Sequence, residues 1–439
     1  MSNNSVSVVI TKSDLDCVVS RASLAAMSDE GQSDVARTNN ETKGCVRVTA
    51  SGNTIAFDSS SARFSSRYVI TVVEGSEASI ESEGTTCIPA KDLKSVSNKI
   101  TSGKIQLTFV AKPSDQDSNV SAAQKSMLPD GVVEVSVIKG TKHVAKAKIE
   151  AYPAAYFSCP DFQDRASLTM IVSGKASDIK NPYGLVGFSI NVADAKEVYN
   201  KLAIFPSADS VFFLGSDGRR CAVVQTKGES SGMKFMTEEP ADPILIDAEF
   251  MTPILSSLGA DDDILLSMND SEEHVYVFSG QTSYRISMAD KELRKKFPNY
   301  KRIMGLDKKV VILVDRDGLS QSIGLLGVVN LDRGRYVFCK TDKAIKLQGR
   351  GIAGVKEATG DVSYELVSTC ELGDGDQGKE AVKEPTICLH TGYLIEGLKK
   401  MSCEKVRMSF TPDELRVRIE DETDPKFIYY MQVMNPNEV

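Results

Sequence analysis

The chain contains no tryptophan, only three histidines and no cysteine pair at CxxC spacing. His143, His274 and His390 lie far apart, so metal-ligand spacing is absent and neither a metal nor a cofactor is expected. The nine cysteines are scattered and odd in number, which reads as free thiols in a reducing compartment rather than a disulfide framework. The opening Met-Ser-Asn-Asn-Ser lacks the basic flank and apolar run of a signal peptide. No apolar run is long enough to cross a membrane, and a cytoplasmic protein is expected. There is no Walker P-loop and no HExxH. Gly349-Arg350-Gly351-Ile352-Ala353-Gly354 fits GxGxxG by letters, but it leads into another strand and not into a helix N-terminus that could receive a pyrophosphate. No His or Cys falls in a nucleophile motif, so an enzyme is not expected. An excess of positive charge is also missing. Fifty-two Lys and Arg against 60 Asp and Glu give −8, which excludes a surface that grips nucleic acid everywhere but leaves room for basic residues confined to one face.

What is present is a repeat of pattern. Six times, a short apolar strand leads through one or two polar residues into an amphipathic helical run: Ser5–Leu24, Thr85–Ile100, Gly187–Leu202, Pro243–Gly259, Lys309–Val328 and Thr386–Met401. Asp247, Asp315 and Thr391 suit N-caps. Alternating segments lie between these units. Lys104–Lys112 with Val132–Ile149, and Val275–Met288 turning at Ser279-Gly280, read as hairpins. In the last third, Tyr336–Lys340, Ala344–Gln348, Ser363–Thr369, Val406–Phe410, Leu415–Glu420 and Phe427–Val433 read as strands. Pro113–Pro129 and Gly373–Pro385 read as polar surface loops. Six helices among many strands predict an α+β chain of three domains, 1–163, 164–307 and 308–439.

Lys296–Met304, Lys-Phe-Pro-Asn-Tyr-Lys-Arg-Ile-Met, sits at the second boundary. Pro298 fixes its own φ and lacks a donor, so no helix or central strand runs through it. The bland reading is a linker whose Phe297 and Tyr300 plug adjoining cores.

Five motifs in order resemble the bacterial-type DNA polymerase sliding clamps, the β-clamp family. They are Tyr152–Phe157 with Pro160-Asp161, Ser216–Arg220, Pro243–Asp247 with its following helix, Lys296–Ile303, and Cys403–Met408 leading to a final Tyr-Tyr-Met strand. The resemblance spans nearly the whole chain. It implies a three-domain clamp fold, two helices per domain packed on antiparallel sheets, and a head-to-tail homodimer closing a ring around double-stranded DNA without reading its sequence. It also implies a non-enzymatic processivity factor that holds the DNA polymerase and the clamp loader through a short peptide motif. Carried over residue by residue, the peptide cleft uses Ser216, Asp217, Gly218, Arg219, Arg220 and Cys221, then Pro298, Arg302 and Ile303, and then Tyr429, Met431 and Val433. The DNA-facing helices carry Lys12, Arg21, Lys91, Lys94, Lys99, Lys196, Lys201, Lys399 and Lys400. Apart from Lys309 at the start of the fifth strand, ten basic residues balance ten acidic ones in these runs, so the net charge of −8 lies outside them. The dimer contact joins an outer strand of the first domain, placed at Lys104–Lys112, to the third domain near Leu325 and Leu326, a pair that core packing explains more readily. Arg219 stands where the family has His and Cys221 where it has Leu, and the short family C-terminus is replaced by Met431–Val439. Such departures imply a divergent clamp, bacterial or phage-encoded. Two rivals stay open: an interaction protein of this fold that does not encircle DNA, and an enzyme that uses a free thiol.

Overall fold

The computed structural model describes residues 6–28, 44–112, 128–193, 197–228, 233–236, 240, 242–298, 301, 310–329, 336–341, 344–350, 357–369, 387–410, 416–424 and 426–433. Among these, 310, 325–329, 336–341, 344–350, 357–369, 387, 388 and 410 are described by backbone alone. Two compact units emerge: Met1–Ser177 with Met233–Met236 and Glu249–Met288, and Asp178–Gly232 with Thr237–Ala248 and Ala289–Val439.

The first unit holds two antiparallel sheets. The smaller runs Ser79–Ser82, Ser7–Thr11, Lys104–Ala111, Gly131–Lys139, Lys142–Ala151. The larger runs Lys234–Phe235, Thr169–Lys175, Asp263–Met268, His274–Ser279, Thr282–Ser287, Phe64–Thr71, Thr54–Ser60, Cys45–Ser51, Gly84–Pro89. Pairing of Thr282–Ser287 with Phe64–Thr71 makes this one ladder across the expected boundary at 163/164. Its core gathers Val8, Ile10, Leu15, Val46, Phe57, Leu93 and Ile105, from strands and from the helices Lys12–Cys17 and Ala90–Ser97. The first helix starts where a capping box dictates. Thr11 Oγ1 accepts from Asp14 N (3.0 Å), and Asp14 Oδ2 accepts from Thr11 N (3.1 Å).

The second unit is built on one twelve-stranded antiparallel sheet. Its order is Ile244–Asp247, Lys201–Pro206, Ser210–Ser216, Arg220–Lys227, Phe427–Gln432, Arg416–Asp421, Lys405–Phe410, Val310–Asp315, Glu357–Thr369, Ala344–Arg350, Tyr336–Thr341, Ile387–His390. The strands expected in the last third are all present. Phe427 to Met431 are buried on both faces, which explains an apolar run without alternation. Helices Arg316–Val329 and Thr391–Leu398 follow their strands directly.

Five of the six expected strand–helix units stand. The third is corrected. Gly187–Leu202 forms 3-10 turns at Gly187–Ser189 and Glu197–Asn200, and the strand–helix unit is Thr169–Lys175 followed by Ala176–Val186. Pro182 and Gly184 inside that helix mimic a loop in the sequence. The cap of Thr391–Leu398 is also one residue earlier than expected: His390 Nδ1 accepts from Tyr393 N at 3.3 Å. A further correction concerns Lys104–Ala111. It is paired on both sides and leaves no free ladder, while Ser79–Ser82 and Lys142–Ala151 are the edges of this sheet among the described residues. The expected loops Pro113–Pro129 and Gly373–Pro385 fall outside the described residues, apart from 128 and 129.

Candidate partner site

The site grows from the turn Ser216–Arg220. Gly218 has φ +84°, left-handed backbone that favours glycine. A Cβ there would also meet the Tyr199 ring at 2.9 Å. Asp217 Oδ1 accepts from the backbone of Arg219 and Arg220, each at 2.9 Å, and Ser216 Oγ donates to Arg220 O at 2.8 Å. The turn therefore fixes where Arg220 leaves the sheet.

Arg220 is the centre. Its Nε donates to Asp217 Oδ2 (2.9 Å), its Nη2 to Phe188 O (2.9 Å) and its Nη1 to Glu396. The guanidinium lies over the Tyr393 ring at 4.2 Å and the Phe188 ring at 5.3 Å. Burial alone would lower its pKa, but the Glu396 hydrogen bond and the surrounding negative charges raise it above the ordinary value. Strand register sets Met431 opposite Arg220 and Tyr429 opposite Ala222. Tyr429 is fully buried, its ring 5.4 Å from Phe188, and its hydroxyl donates to Tyr393 O at 2.9 Å. Burial pushes that phenol well above its usual range. Lys400 Nζ donates to Gly184 O at 2.8 Å.

The structure thus brings together the turn, Arg220, Tyr429 and Met431, residues that the family resemblance groups in one cleft. Cys221 is set on the other face of the strand. There it packs with Val223, Ile428, Tyr430 and Phe297, the anchor expected of the linker, whose ring lies 6.4 Å from Phe205. Pro298 and Val433 are half-buried. Tyr300, Arg302 and Ile303 lie outside the described residues. Phe188, Tyr393 and Glu396 were missed; their signals were an aromatic after the 176–186 helix and a Tyr and Glu three residues apart on one helix face.

Burial works against thiolate chemistry at four of the described cysteines. Burial pushes the Cys221 thiol up to about 12 and the Cys159 thiol up to about 11, and it raises Cys87 and Cys403. Among the described residues, no three His, Cys, Asp or Glu side chains cluster to hold a metal.

No protein-family model matches the chain. A beta sliding clamp of Treponema pallidum is 20% identical over 291 residues, 65% of this chain and 72% of that protein. The DNA polymerase III subunit beta sliding clamp of Pseudomonas aeruginosa, solved bound to griselimycin, superposes with a TM-score of 0.72 at 12% identity, covering 98% of this chain and 99% of its own. The C. crescentus beta sliding clamp gives 0.72 at 13% identity, covering 99% and 100%. The chain has the sliding-clamp fold.

Within the clamp fold, the expected DNA-facing cations differ in freedom. Lys94, Lys99 and Lys399 are exposed, and so is Lys91. Lys12 pairs with Asp16 and Arg21 with Asp262 at 3.0 Å, while Lys400 holds Gly184. Asp262 also accepts from Gly259 N at 2.9 Å, closing the turn that leads into the strand Asp263–Met268. Lys201 is corrected. It is 3% exposed in a strand, paired with Asp247, and faces no solvent. Lys196 lies outside the described residues. Leu325 and Leu326 lie on the helix Arg316–Val329. Among the described residues, no helix is long and apolar enough to cross a membrane.

Proposed function

We propose that this chain is a DNA sliding clamp, a non-enzymatic processivity factor of the cytoplasm with domains near 1–163, 164–307 and 308–439. Two copies close head to tail around duplex DNA and tether the replicative polymerase, the clamp loader and other replication proteins. The observation that carries this reading is the fold match over 98% of the chain to a DNA polymerase III subunit beta. Ring closure would continue the sheet edge Lys142–Ala151 of one copy into the region of Leu325 and Leu326 of the other. The lysines at 142, 146 and 148 along that edge would discourage pairing with wrong strands. Partner peptides would seat over the Arg220 guanidinium and the Phe188 and Tyr393 rings, with the buried Tyr429 and Met431 supporting them and Ser216–Arg220, Pro298 and Val433 around them. The test is light scattering together with peptide titration. A dimer mass, and a polymerase C-terminal peptide whose binding is lost in Met431→Ala, support the reading; a monomer that binds no such peptide contradicts it.

A clamp-fold protein that does not encircle DNA is the second reading. It is favoured by the internal engagement of Lys12, Arg21, Lys201 and Lys400, which leaves fewer cations for phosphates.

A further inference from the structure

The three acceptors around Arg220 are unequal. Asp217 comes from the same tight turn and its side chain is 8% exposed, and Phe188 offers a backbone carbonyl; neither can leave without unmaking the turn or the loop. Glu396 is different. Its side chain is 49% exposed, it stands on the helix Thr391–Leu398, and it reaches Arg220 Nη1 through a flexible stem. A half-exposed ion pair of this kind contributes little, because solvent screens it and ordering the side chain costs entropy. The guanidinium itself is held in orientation by Asp217, the Phe188 carbonyl and the Tyr393 ring. A fixed cation with one exchangeable carboxylate is a ready-made reader of carboxylates, since the ordering cost is already met.

We propose that the Nη1 corner of Arg220 is a carboxylate-reading position of the partner site, and that Glu396 is its resident occupant. A partner peptide that brings an acidic side chain or its own C-terminal carboxylate displaces Glu396 and takes its place on Arg220. Glu396 is then a specificity residue: it weakens acidic ligands by competing with them and leaves neutral ligands untouched. This rests on the sliding-clamp reading, which supplies the peptide.

The test uses the full chain and fluorescein-labelled polymerase C-terminal peptides in which each carboxylate, the terminal one included, is replaced in turn by its amide. Polarisation titrations compare wild type, Glu396→Gln and Glu396→Asp. The aspartate keeps the charge but draws the carboxylate back by one methylene. Both variants are expected to bind the carboxylate peptide about three- to ten-fold tighter than wild type. One amide peptide should lose this gain and so identify which carboxylate is read. Equal changes for carboxylate and amide peptides, no change, or tightening in Glu396→Gln alone would overturn the inference while leaving the clamp reading intact. Absence of binding by every peptide to all three proteins would overturn both.

Discussion

Lys201 and Lys94 are both lysines expected on DNA-facing helices, and their surroundings assign them opposite jobs. Lys201 and Asp247 are buried together, and removing one leaves an uncompensated charge. Lys201→Ala should therefore cost about 3 kcal/mol in urea unfolding. Lys94→Ala should leave stability within about 0.5 kcal/mol, and should lower the salt slope of DNA retention by about one unit if Lys94 meets a phosphate. Asp421 contributes a pH dependence at the same scale. Burial would raise its pKa, but hydrogen bonds from Thr423 Oγ1 (2.7 Å) and from the backbone of Thr423 (2.9 Å), Asp424 (3.0 Å) and Ser402 (3.0 Å) hold it well below the carboxylate range. A depressed carboxylate stabilises the fold above its unfolded pKa of about 4, and the contribution is lost as pH falls through the folded value. Asp421→Asn should thus be destabilised at pH 7, and its deficit against wild type should shrink on acidification below pH ~4. A deficit constant across pH would refute the charge-based explanation.

At the scale of elements, the helix Thr391–Leu398 is docked by a glycine. A Cβ on Gly397 would lie 2.4 Å from the Tyr429 ring. Helix propensity favours alanine by about 1 kcal/mol, whereas overpacking costs about 1–3. Because the clash is with a fully buried ring, Gly397→Ala should be destabilising by about 1 kcal/mol net, and in a chain that also carries the costly Tyr429→Leu this extra loss should vanish, so that the two changes fall short of adding. Chemical denaturation of the single and double variants decides the point. Most elements were legible from apolar patterning, as in the helical spacing of Leu15, Val18 and Val19 and in the apolar run Phe427–Gln432. The failures were local conflicts. Pro182 and Gly184 hid the helix Ala176–Val186, and Lys201 looked like a solvated helix residue because its partner Asp247 lies far along the chain. In the candidate partner site, the Ser216–Arg220 turn was legible through its resemblance to the family's loop. Glu396 and Phe188 were not, since only the fold brings them to Arg220.

At the scale of the whole molecule, the acidic total charge suits the proposed encirclement of DNA. A protein held on DNA by topology needs few phosphate contacts, and its retention should depend weakly on salt, whereas a binder that neutralises many phosphates loses affinity steeply. The most direct measurement is retention on DNA of defined topology. The chain is loaded with a clamp loader onto nicked circular plasmid, separated from free protein by gel filtration, and the plasmid is then cut once. A sliding clamp co-elutes with the circle at moderate salt and is released when the circle is made linear. A protein that never co-elutes with the circle, or that stays equally on linear DNA, does not encircle it.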